Sequence, residues 1–181
     1  IIQCLLKQKK DYVYTYSGLK EIIFENLKFF HYEYTYENKI KYPEFENLPY
    51  DIHYKPLKLY KYQEEAIDAL LQNPHSCIEL PTGSGKQFVI ENLVKRTGLP
   101  SLIVVPSKSI AYQFYHGFIE AFGKKYVGLF GDGKKEYKKH IVIGISDSIS
   151  LIEDDTEAYD VLSKKSCLIF DESHLVGAPT V

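Results

Sequence analysis

The sequence predicts an α/β fold, a doubly wound parallel sheet preceded by a small α+β unit. From residue 58 onward, short apolar runs alternate with helical patterns, as they do when crossover helices join parallel strands. The run 101–105 (SLIVV) is almost wholly apolar, which suits a strand covered on both faces of a sheet. A chain of 181 residues, with 45% hydrophobic and 25% charged residues, can bury one sizeable core and carry a small appendage.

Residues 1–38 predict a small accessory domain of strands and one helix. The segment 1–16 alternates weakly between apolar and polar residues, which indicates a hairpin. Ser17 is a candidate N-cap, and apolar residues at helical spacing predict a helix over 18–30. The next segment, 31–36, predicts a strand.

Tyrosine is abundant, with 16 copies in the chain, and many of them lie in this first part. Tyrosines on half-exposed strands usually pack against their neighbours, but they can also stack on nucleic-acid bases, so both interpretations stay open. Residues 39–57 contain three prolines and little periodicity, which predicts a linker. A larger α/β domain is then predicted over 58–181.

The segment 77–94 carries the strongest chemical signal. A short apolar run, 77–80, predicts a buried strand, and an amphipathic helix follows the loop PTGSGK. Gly83 and Gly85 let successive backbone N–H groups point inward, and Lys86 adds a full charge at a helix N-terminus. A surface loop would explain the glycines alone, but the whole combination predicts a phosphate-binding site. Its predicted nucleotide contacts are Pro81, Thr82, Gly83, Ser84, Gly85, Lys86 and Gln87.

The remaining elements follow from the same alternation of patterns. Helices are predicted over 60–71 and 108–122, strands over 126–130, 140–145 and 167–170, and an acidic, helical surface segment over 149–162.

An acidic pair, Asp171 and Glu172, follows the last predicted strand, 85 residues after Lys86 (171 − 86). Charged residues often simply mark the point where a buried strand reaches water. In a parallel sheet, however, ligands bind at the carboxyl ends of the strands, where the phosphate loop is also expected. Asp171 is therefore the predicted Mg²⁺ ligand, through water, and Glu172 the residue that orients the attacking water. His174 either couples this site to a partner or caps the strand.

The segment 59–175 resembles the first, RecA-like motor domain of superfamily 2 helicases and translocases. The loop residues are similar to motif I, and the sequence D-E-S-H at 171–174 to motif II. The stretch 58–66 resembles the adenine-reading Q motif, in which Gln63 would bond the adenine edge, with Tyr60 or Tyr62 near the ring. The resemblance implies ATP as the nucleotide and Mg²⁺ as the metal.

Three further segments resemble the family's nucleic-acid contact motifs. They lie after the strands predicted at 101–105, 126–130 and 140–145, and in the family the first of these motifs touches the nucleic-acid backbone. The residues that match are Pro106, Ser107, Lys108, Gln113, Gly131, Gly133, Ser146 and Ser148.

The sequence departs from the family pattern at Gln87, where Ser or Thr normally supplies a hydroxyl to Mg²⁺. Its amide oxygen would be a weaker ligand, or Asp171 and water would hold the ion alone, and Mg²⁺ dependence should be shifted. The chain also stops before the family's third motif and its second RecA-like domain, whose arginine finger contributes about 10³–10⁵ in rate. We expect residues 1–181 alone to bind ATP weakly, to hydrolyse it hardly at all and to unwind nothing.

The resemblance implies an ATP-dependent DNA helicase or translocase, completed by a second RecA-like domain. The accessory domain is similar to that of phage UvsW-like recombination helicases, which implies work on forked or branched DNA. Two alternatives stay open, namely duplex translocation without unwinding and a nucleotide-dependent binding module in which Gln87 marks lost hydrolysis. The motor motifs do not distinguish DNA from RNA.

Charge and cysteine usage add weaker constraints. Because the net charge is −2, a polyanion would have to bind at a local basic patch. One such patch is predicted, which is either a track for phosphates or a solvated loop. It comprises Lys124, Lys125, Lys134, Lys135, Lys138 and Lys139. Three cysteines without a C-x-x-C pair indicate reduced thiols rather than a metal site. With no run of about 18 apolar residues, we expect no membrane partner and a cytoplasmic location, in the host if the protein is a phage's.

Overall fold

The computed structural model describes residues 6–9, 12–15, 20–37 and 58–172. Their elements, in chain order, are β1 (Leu6–Lys9), β2 (Tyr12–Thr15), α1 (Lys20–Phe29), α2 (Lys61–Gln72), α3 (Lys86–Thr97), β3 (Ser101–Val105), α4 (Lys108–Phe122), β4 (Val127–Gly131), β5 (Lys134–Lys135), β6 (Ile141–Ile145), α5 (Ser146–Ser150), α6 (Glu157–Leu162) and β7 (Cys167–Phe170).

A five-stranded sheet in the order β5-β4-β6-β3-β7 positions the site. Strands β4, β6, β3 and β7 run parallel, and only β5 is antiparallel to its neighbour. The register of β3 with β6 ends at Val105 opposite Ile145, and that of β3 with β7 ends at Val104 opposite Phe170. The carboxyl ends of these strands therefore lie in line along one edge of the sheet.

Helices cover the sheet on both faces, as predicted for a doubly wound fold. Successive strand residues point to opposite faces. Ile103 and Val105 pack with α3 and α4 in the main core, whereas Leu102 and Val104 pack with α6 on the other face. All five residues of β3 are buried, which agrees with the apolar run that predicted it.

Helix α2 packs on α3 outside the main core. Their shared cluster contains Ile67 of α2 and Val89 of α3, both fully buried. At its edge, Arg96 of α3 forms ion pairs with Glu64 and Asp68 of α2. This packing fixes α2 beside the loop that starts α3.

Most predicted elements are confirmed. The hairpin appears as antiparallel β1 and β2, the helix over 18–30 as α1, and that over 108–122 as α4. The helical segment over 149–162 consists of two short helices, α5 and α6, separated by a turn. The predicted linker falls on residues outside the described ranges.

The strand predicted over 77–80 is wrong. These residues adopt no regular secondary structure, and Cys77 is exposed. Ile78 and Leu80 instead pack against the α2–α3 cluster, together with Ile169 of β7. Their apolar side chains thus pack on helices and on one strand residue without joining the sheet. Within the described residues, β7 pairs with β3 alone.

The strand predicted over 31–36 is also wrong. His31 has a φ of 56°, which turns the chain sharply after α1. Tyr34 and Tyr36 then fold back, and each ring centroid lies 5.1 Å from that of Phe24 in α1. These tyrosines therefore pack on the helix, while Tyr32 remains 66% exposed.

Strand β7 was predicted as buried but forms a sheet edge in the described part of the chain. Its residues alternate between half-buried and exposed, with Leu168 56% and Phe170 39% exposed. The apolar run predicted the strand correctly, but the position of the strand in the sheet depends on pairing that no local pattern encodes.

No helix within the described residues is long and apolar enough to cross a membrane.

Candidate functional site

The loop over 81–86 has the backbone of a phosphate cradle. Gly83 and Gly85 have φ values of 79° and 78°, a left-handed conformation that glycine adopts readily. The N–H of Ser84 donates to the carbonyl of Pro81 at 3.1 Å, which closes the turn, and α3 begins at Lys86. The Ser84 hydroxyl is buried and has no hydrogen-bond partner among the described residues. A buried, unsatisfied hydroxyl in such a loop fits an acceptor-rich ligand such as phosphate.

Helix α2 braces this loop through its first turn. The carbonyl of Ser84 accepts hydrogen bonds from the Tyr62 hydroxyl and from Gln63 Nε2, both at 2.9 Å. Gln63 Oε1 in turn accepts from the N–H of Tyr60 at 3.0 Å. A Cβ at Gly85 would lie 2.8 Å from Gln63 Nε2, and the positive φ of Gly85 also favours glycine at this position. The predicted contact of Gln63 with an adenine edge stays a prediction.

An open cleft of about 470 Å³ lies beside the loop. Tyr62 lines this cleft, and its ring stacks on that of Tyr60, with centroids 5.8 Å apart and an angle of 7° between their planes. Tyr60 is 68% exposed, so an aromatic face remains available to a flat ligand. The cleft is lined by Tyr62, Leu80, Pro81, Thr82, Gly83 and Ser84.

The acidic pair meets the loop. Lys86 Nζ lies 2.7 Å from Glu172 Oε1, with each side chain 34% exposed. The hydrogen bond to Glu172 raises the pKa of Lys86, so its positive charge is secure at neutral pH. Burial raises the pKa of Asp171, and the charge of Glu172 raises it further against the opposing effect of Lys86. The structure thus brings together the three predicted catalytic residues.

Glu172 itself has a φ of 56°, a conformation that costs a non-glycine residue energy. Asp171 is held by its backbone N–H, which donates to the carbonyl of Val104 at 2.9 Å. Strain of this kind is typical of functional sites, where the surroundings hold a side chain in place. His174 lies outside the described residues.

A metal ion at Asp171 would need ligands from elsewhere. Among the described residues no cluster of three or more His, Cys, Asp or Glu side chains could hold a metal. Mg²⁺ takes few protein ligands and completes its shell with phosphate oxygens and water, so a single carboxylate beside a phosphate cradle fits it. Asp171 is the residue that would hold it.

Gln87 is directed away from the loop. Its Nε2 donates to Glu91 Oε1 at 2.8 Å, and its Oε1 accepts from Gln113 Nε2 of α4 at 3.4 Å. A Cβ at Gly117 would lie 2.0 Å from Gln87 Nε2, so the glycine leaves room for this arrangement. In this structure the amide oxygen of Gln87 is engaged with α4, which favours the alternative in which Asp171 and water hold the ion.

Glu91 is a buried carboxylate that the sequence did not single out, with 8% of its surface exposed. Burial raises its pKa, and the hydrogen bond from Gln87 opposes this shift only in part. A carboxyl whose pKa is raised by folding stabilises the fold below its ordinary pKa and loses that contribution as pH rises through the folded-state value.

We therefore expect Glu91→Gln to raise the free energy of unfolding at neutral pH, by about 1 kcal/mol, since glutamine keeps the acceptor but carries no buried charge. The difference should disappear in acid, where Glu91 is protonated in both states. Denaturant unfolding across the pH range measures it, with exposed Glu153→Gln as control. A gain that is independent of pH would contradict the assignment.

Most of the predicted nucleic-acid residues lie at one edge of the sheet. Pro106 and Ser107 follow β3, Gly131 ends β4, and Ser146 and Ser148 follow β6. Ser107 also caps α4, its hydroxyl accepting from the N–H of Ile110 at 3.4 Å. A Cβ at Gly131 would lie 2.8 Å from Ser148 Oγ, so two of the predicted segments touch.

Two predicted residues have partners that the sequence did not reveal. Lys108 Nζ lies 2.7 Å from Asp132 Oδ1, and Gln113 turns toward Gln87 instead of the strand ends. Tyr112, one turn after Lys108, also contacts Asp132. The spacing of Lys108 and Tyr112 on one helix face was a usable signal, but their common partner depends on the tertiary fold.

The predicted basic patch is only partly available to a polyanion. Lys138 pairs with Glu157 at 2.5 Å, and Lys139 Nζ donates to the carbonyl of Lys125 at 3.1 Å. Lys134 and Lys135 form β5, a short strand that the sequence did not predict, and both are exposed. These two lysines lie directly after Gly133.

Comparison with known proteins supplies a family context for this geometry. The family described as "Type III restriction enzyme, res subunit" matches residues 56–181. UvrABC system protein B of Fusobacterium nucleatum is 32% identical over 107 residues, which cover 56% of this chain and 16% of that protein. DNA 3'-5' translocase XPB2 of Sulfurisphaera tokodaii is 31% identical over 133 residues, which cover 71% of this chain and 28% of that protein.

Solved structures share the fold. The UvsW helicase from bacteriophage T4 superposes with a TM-score of 0.69 at 20% identity, covering 88% of this chain and 62% of that one. A hypothetical ATP-dependent RNA helicase from Sulfolobus tokodaii superposes with a TM-score of 0.54, also at 20% identity, covering 67% and 39%. The chain therefore spans only part of the length of each relative.

Proposed function

The chain belongs to the family of type III restriction enzyme res subunits, and from this membership we propose that it is the ATP-binding part of a DNA helicase or translocase. The predicted resemblance to superfamily 2 helicases is confirmed by the same match and by its relatives. The observation that carries the proposal is the Lys86–Glu172 contact, because it joins the phosphate loop to the acidic pair across the sheet edge.

The roles of the residues follow from this contact. The loop N–H groups and the Ser84 hydroxyl would bind the phosphates of ATP, with Lys86 as counter-charge. Once Lys86 engages phosphate, the Glu172 carboxylate that it contacts here would orient and polarise the attacking water. Mg²⁺, when bound, neutralises charge that develops on the transferring phosphoryl group. Asp171 would hold that ion.

DNA is the proposed partner, and forked or branched DNA the proposed substrate, in recombination, repair or fork processing. The name of the Sulfurisphaera tokodaii relative, a DNA translocase, supports DNA, and the shared fold with a phage helicase is consistent with strand separation. The strand-end residues, Lys108 among them, supply the proposed contact surface. A second RecA-like domain in the complete protein would complete the ATP site.

The test is DNA-stimulated ATP hydrolysis by the full-length protein, followed by strand displacement on forked and blunt DNA. Hydrolysis stimulated by DNA, with displacement on forks, supports the proposal. Hydrolysis without displacement on either substrate supports the second candidate, duplex translocation, which the restriction-subunit family and the translocase relative favour. ATP binding without stimulated hydrolysis would instead indicate a nucleotide-dependent binding module.

We expect Gln87→Thr to lower the Mg²⁺ concentration that gives half-maximal hydrolysis, by about tenfold. The threonine would place a hydroxyl beside Lys86, whereas the Gln87 amide is engaged with Glu91 and Gln113. Magnesium titrations of the ATPase measure the shift. The same substitution at the exposed Gln72, at the end of α2, is the control, and an unchanged titration for Gln87→Thr would show that the residue does not limit metal binding.

A further inference from the structure

Asp132 holds two side chains of α4 at the proposed nucleic-acid edge. Lys108 Nζ lies 2.7 Å from its Oδ1, and the Tyr112 hydroxyl donates to its Oδ2 at 3.0 Å. Both carboxylate oxygens are thus used, by residues one helical turn apart on the same face of α4. The cation that family resemblance assigns to a nucleic-acid phosphate is therefore already paired within the chain.

The backbone conformation around Asp132 sets the position of this carboxylate. Asp132 has a φ of 51° and stands between Gly131 and Gly133, whose φ values are 121° and 77°. Three consecutive left-handed residues make a tight turn from β4 into β5, and aspartate is among the few side chains that tolerate this conformation. The turn projects Asp132 toward α4 at the level of Lys108.

Folding stability does not account for the pair. The Lys108 side chain is 63% exposed and that of Asp132 31% exposed, and ion pairs in such positions contribute little to stability. The hydrogen bond from Lys108, followed by that from Tyr112, lowers the pKa of Asp132, so the carboxylate stays charged near neutral pH. Because the ion pair is exposed and screened by solvent, a competing polyanion such as a nucleic-acid backbone can open it.

A phosphate diester offers the same chemistry as the Asp132 carboxylate. It carries one negative charge and two free oxygens, which accept hydrogen bonds from an ammonium group and a hydroxyl in the same way. A DNA backbone approaching this edge would meet Lys108 and Tyr112, but it would also meet the negative charge of Asp132.

We propose that Asp132 is an internal substitute for a nucleic-acid phosphate, which occupies Lys108 and Tyr112 until the DNA backbone displaces it. This inference rests on the proposed DNA-binding function and adds an affinity-setting residue to it. Asp132 therefore weakens the binding of DNA that touches this position alone. Lys108 pairs fully with a phosphate only when the other strand-end contacts hold the DNA in place.

The test is the affinity of the full-length protein for a labelled single-stranded thymidine oligonucleotide, measured by fluorescence anisotropy over a range of salt concentrations. Asp132→Asn should tighten binding about two- to tenfold at low salt, because asparagine keeps the left-handed backbone but no longer neutralises Lys108. The salt dependence should steepen by up to about one unit in the log–log slope, since one more cation then meets phosphate directly.

Two further variants make the test specific. In a background that carries Lys108→Met and Tyr112→Phe, Asp132→Asn should give no gain beyond that of Asp154→Asn, which removes the same charge at an exposed position between α5 and α6. A gain from Asp132→Asn that persists without both the Lys108 ammonium and the Tyr112 hydroxyl, or that Asp154→Asn matches, overturns the inference by reducing it to net charge.

The remaining outcomes are also decisive. If the wild-type protein binds but Asp132→Asn is unchanged or weaker, Asp132 positions Lys108 or is inert, and the inference fails while the proposed function stands. If neither the wild-type protein nor any variant binds the oligonucleotide or forked DNA, the proposed function fails and the inference fails with it.

Discussion

Replacing Lys86 with alanine should reduce DNA-stimulated ATP hydrolysis about 10²–10³-fold in the full-length protein. Lys86 Nζ supplies a full positive charge at the end of the loop, 2.7 Å from Glu172. Alanine removes the group that would bind the transferring phosphate. It also removes the ion pair between this lysine and Glu172, so both binding and chemistry should suffer.

The loss should be confined to the ATP site. The Lys86–Glu172 pair is one-third exposed, and such pairs contribute at most about 1 kcal/mol to folding, so the unfolding midpoint should change little. Affinity for a fluorescent ATP analogue separates a binding defect from a catalytic one. Lys164→Ala, an exposed lysine just before β7, is the matched control. Near-normal hydrolysis by Lys86→Ala would mean that the loop does not bind the reacting phosphates.

The local part of this site was predictable because each signal lies within one turn of backbone. Gly83 and Gly85 are needed where the chain turns left-handed, and Lys86 follows directly at the start of α3. The limits of α4 were predicted to the residue, since Ser107 caps its first turn and Gly123 follows its last. Caps and glycines act through neighbouring atoms, so they can be recognised in one sequence.

Long-range pairing was not predictable to the same degree. The apolar segments 77–80 and 167–170 looked alike, yet the first packs on α2 and α3 while the second pairs with β3 at the sheet edge. Hydrophobicity indicates that a segment is partly buried, but it does not specify the neighbour. The same limit applies to 31–36, where the tyrosines that suggested a strand pack on Phe24.

The polar contacts of the site show the same division. The acidic pair was recognised because it follows a strand, whereas the role of Glu91 was not, because its burial depends on α4 lying over α3. Gln87 was noticed as a departure from the family, but its partner Gln113 could be found only in the folded chain. The sequence places Asp132 between Gly131 and Gly133, but its 2.7 Å contact with Lys108 depends on the folded chain. Partners across elements require the tertiary structure.

Phe118→Ala should have the largest effect on stability, a loss of about 3–5 kcal/mol in the free energy of unfolding. Phe118 is fully buried in α4, and its ring stacks between those of Phe114 and Phe122, with centroids 6.2 Å and 5.4 Å away. Truncation removes the buried ring and leaves a cavity between α4 and the sheet, which its rigid neighbours can fill only in part.

Denaturant unfolding measures this loss, and Phe29→Ala is the matched control because Phe29 is 76% exposed and should cost less than about 1 kcal/mol. Phe118→Leu should fall between the two, since it keeps an apolar side chain of smaller volume. Helix α4 also carries Lys108 and Gln113, but Phe118→Ala changes neither side chain. DNA affinity should therefore weaken only under conditions where the fold itself is partly lost. Equal costs for Phe118→Ala and Phe29→Ala would show that α4 does not form the centre of the core.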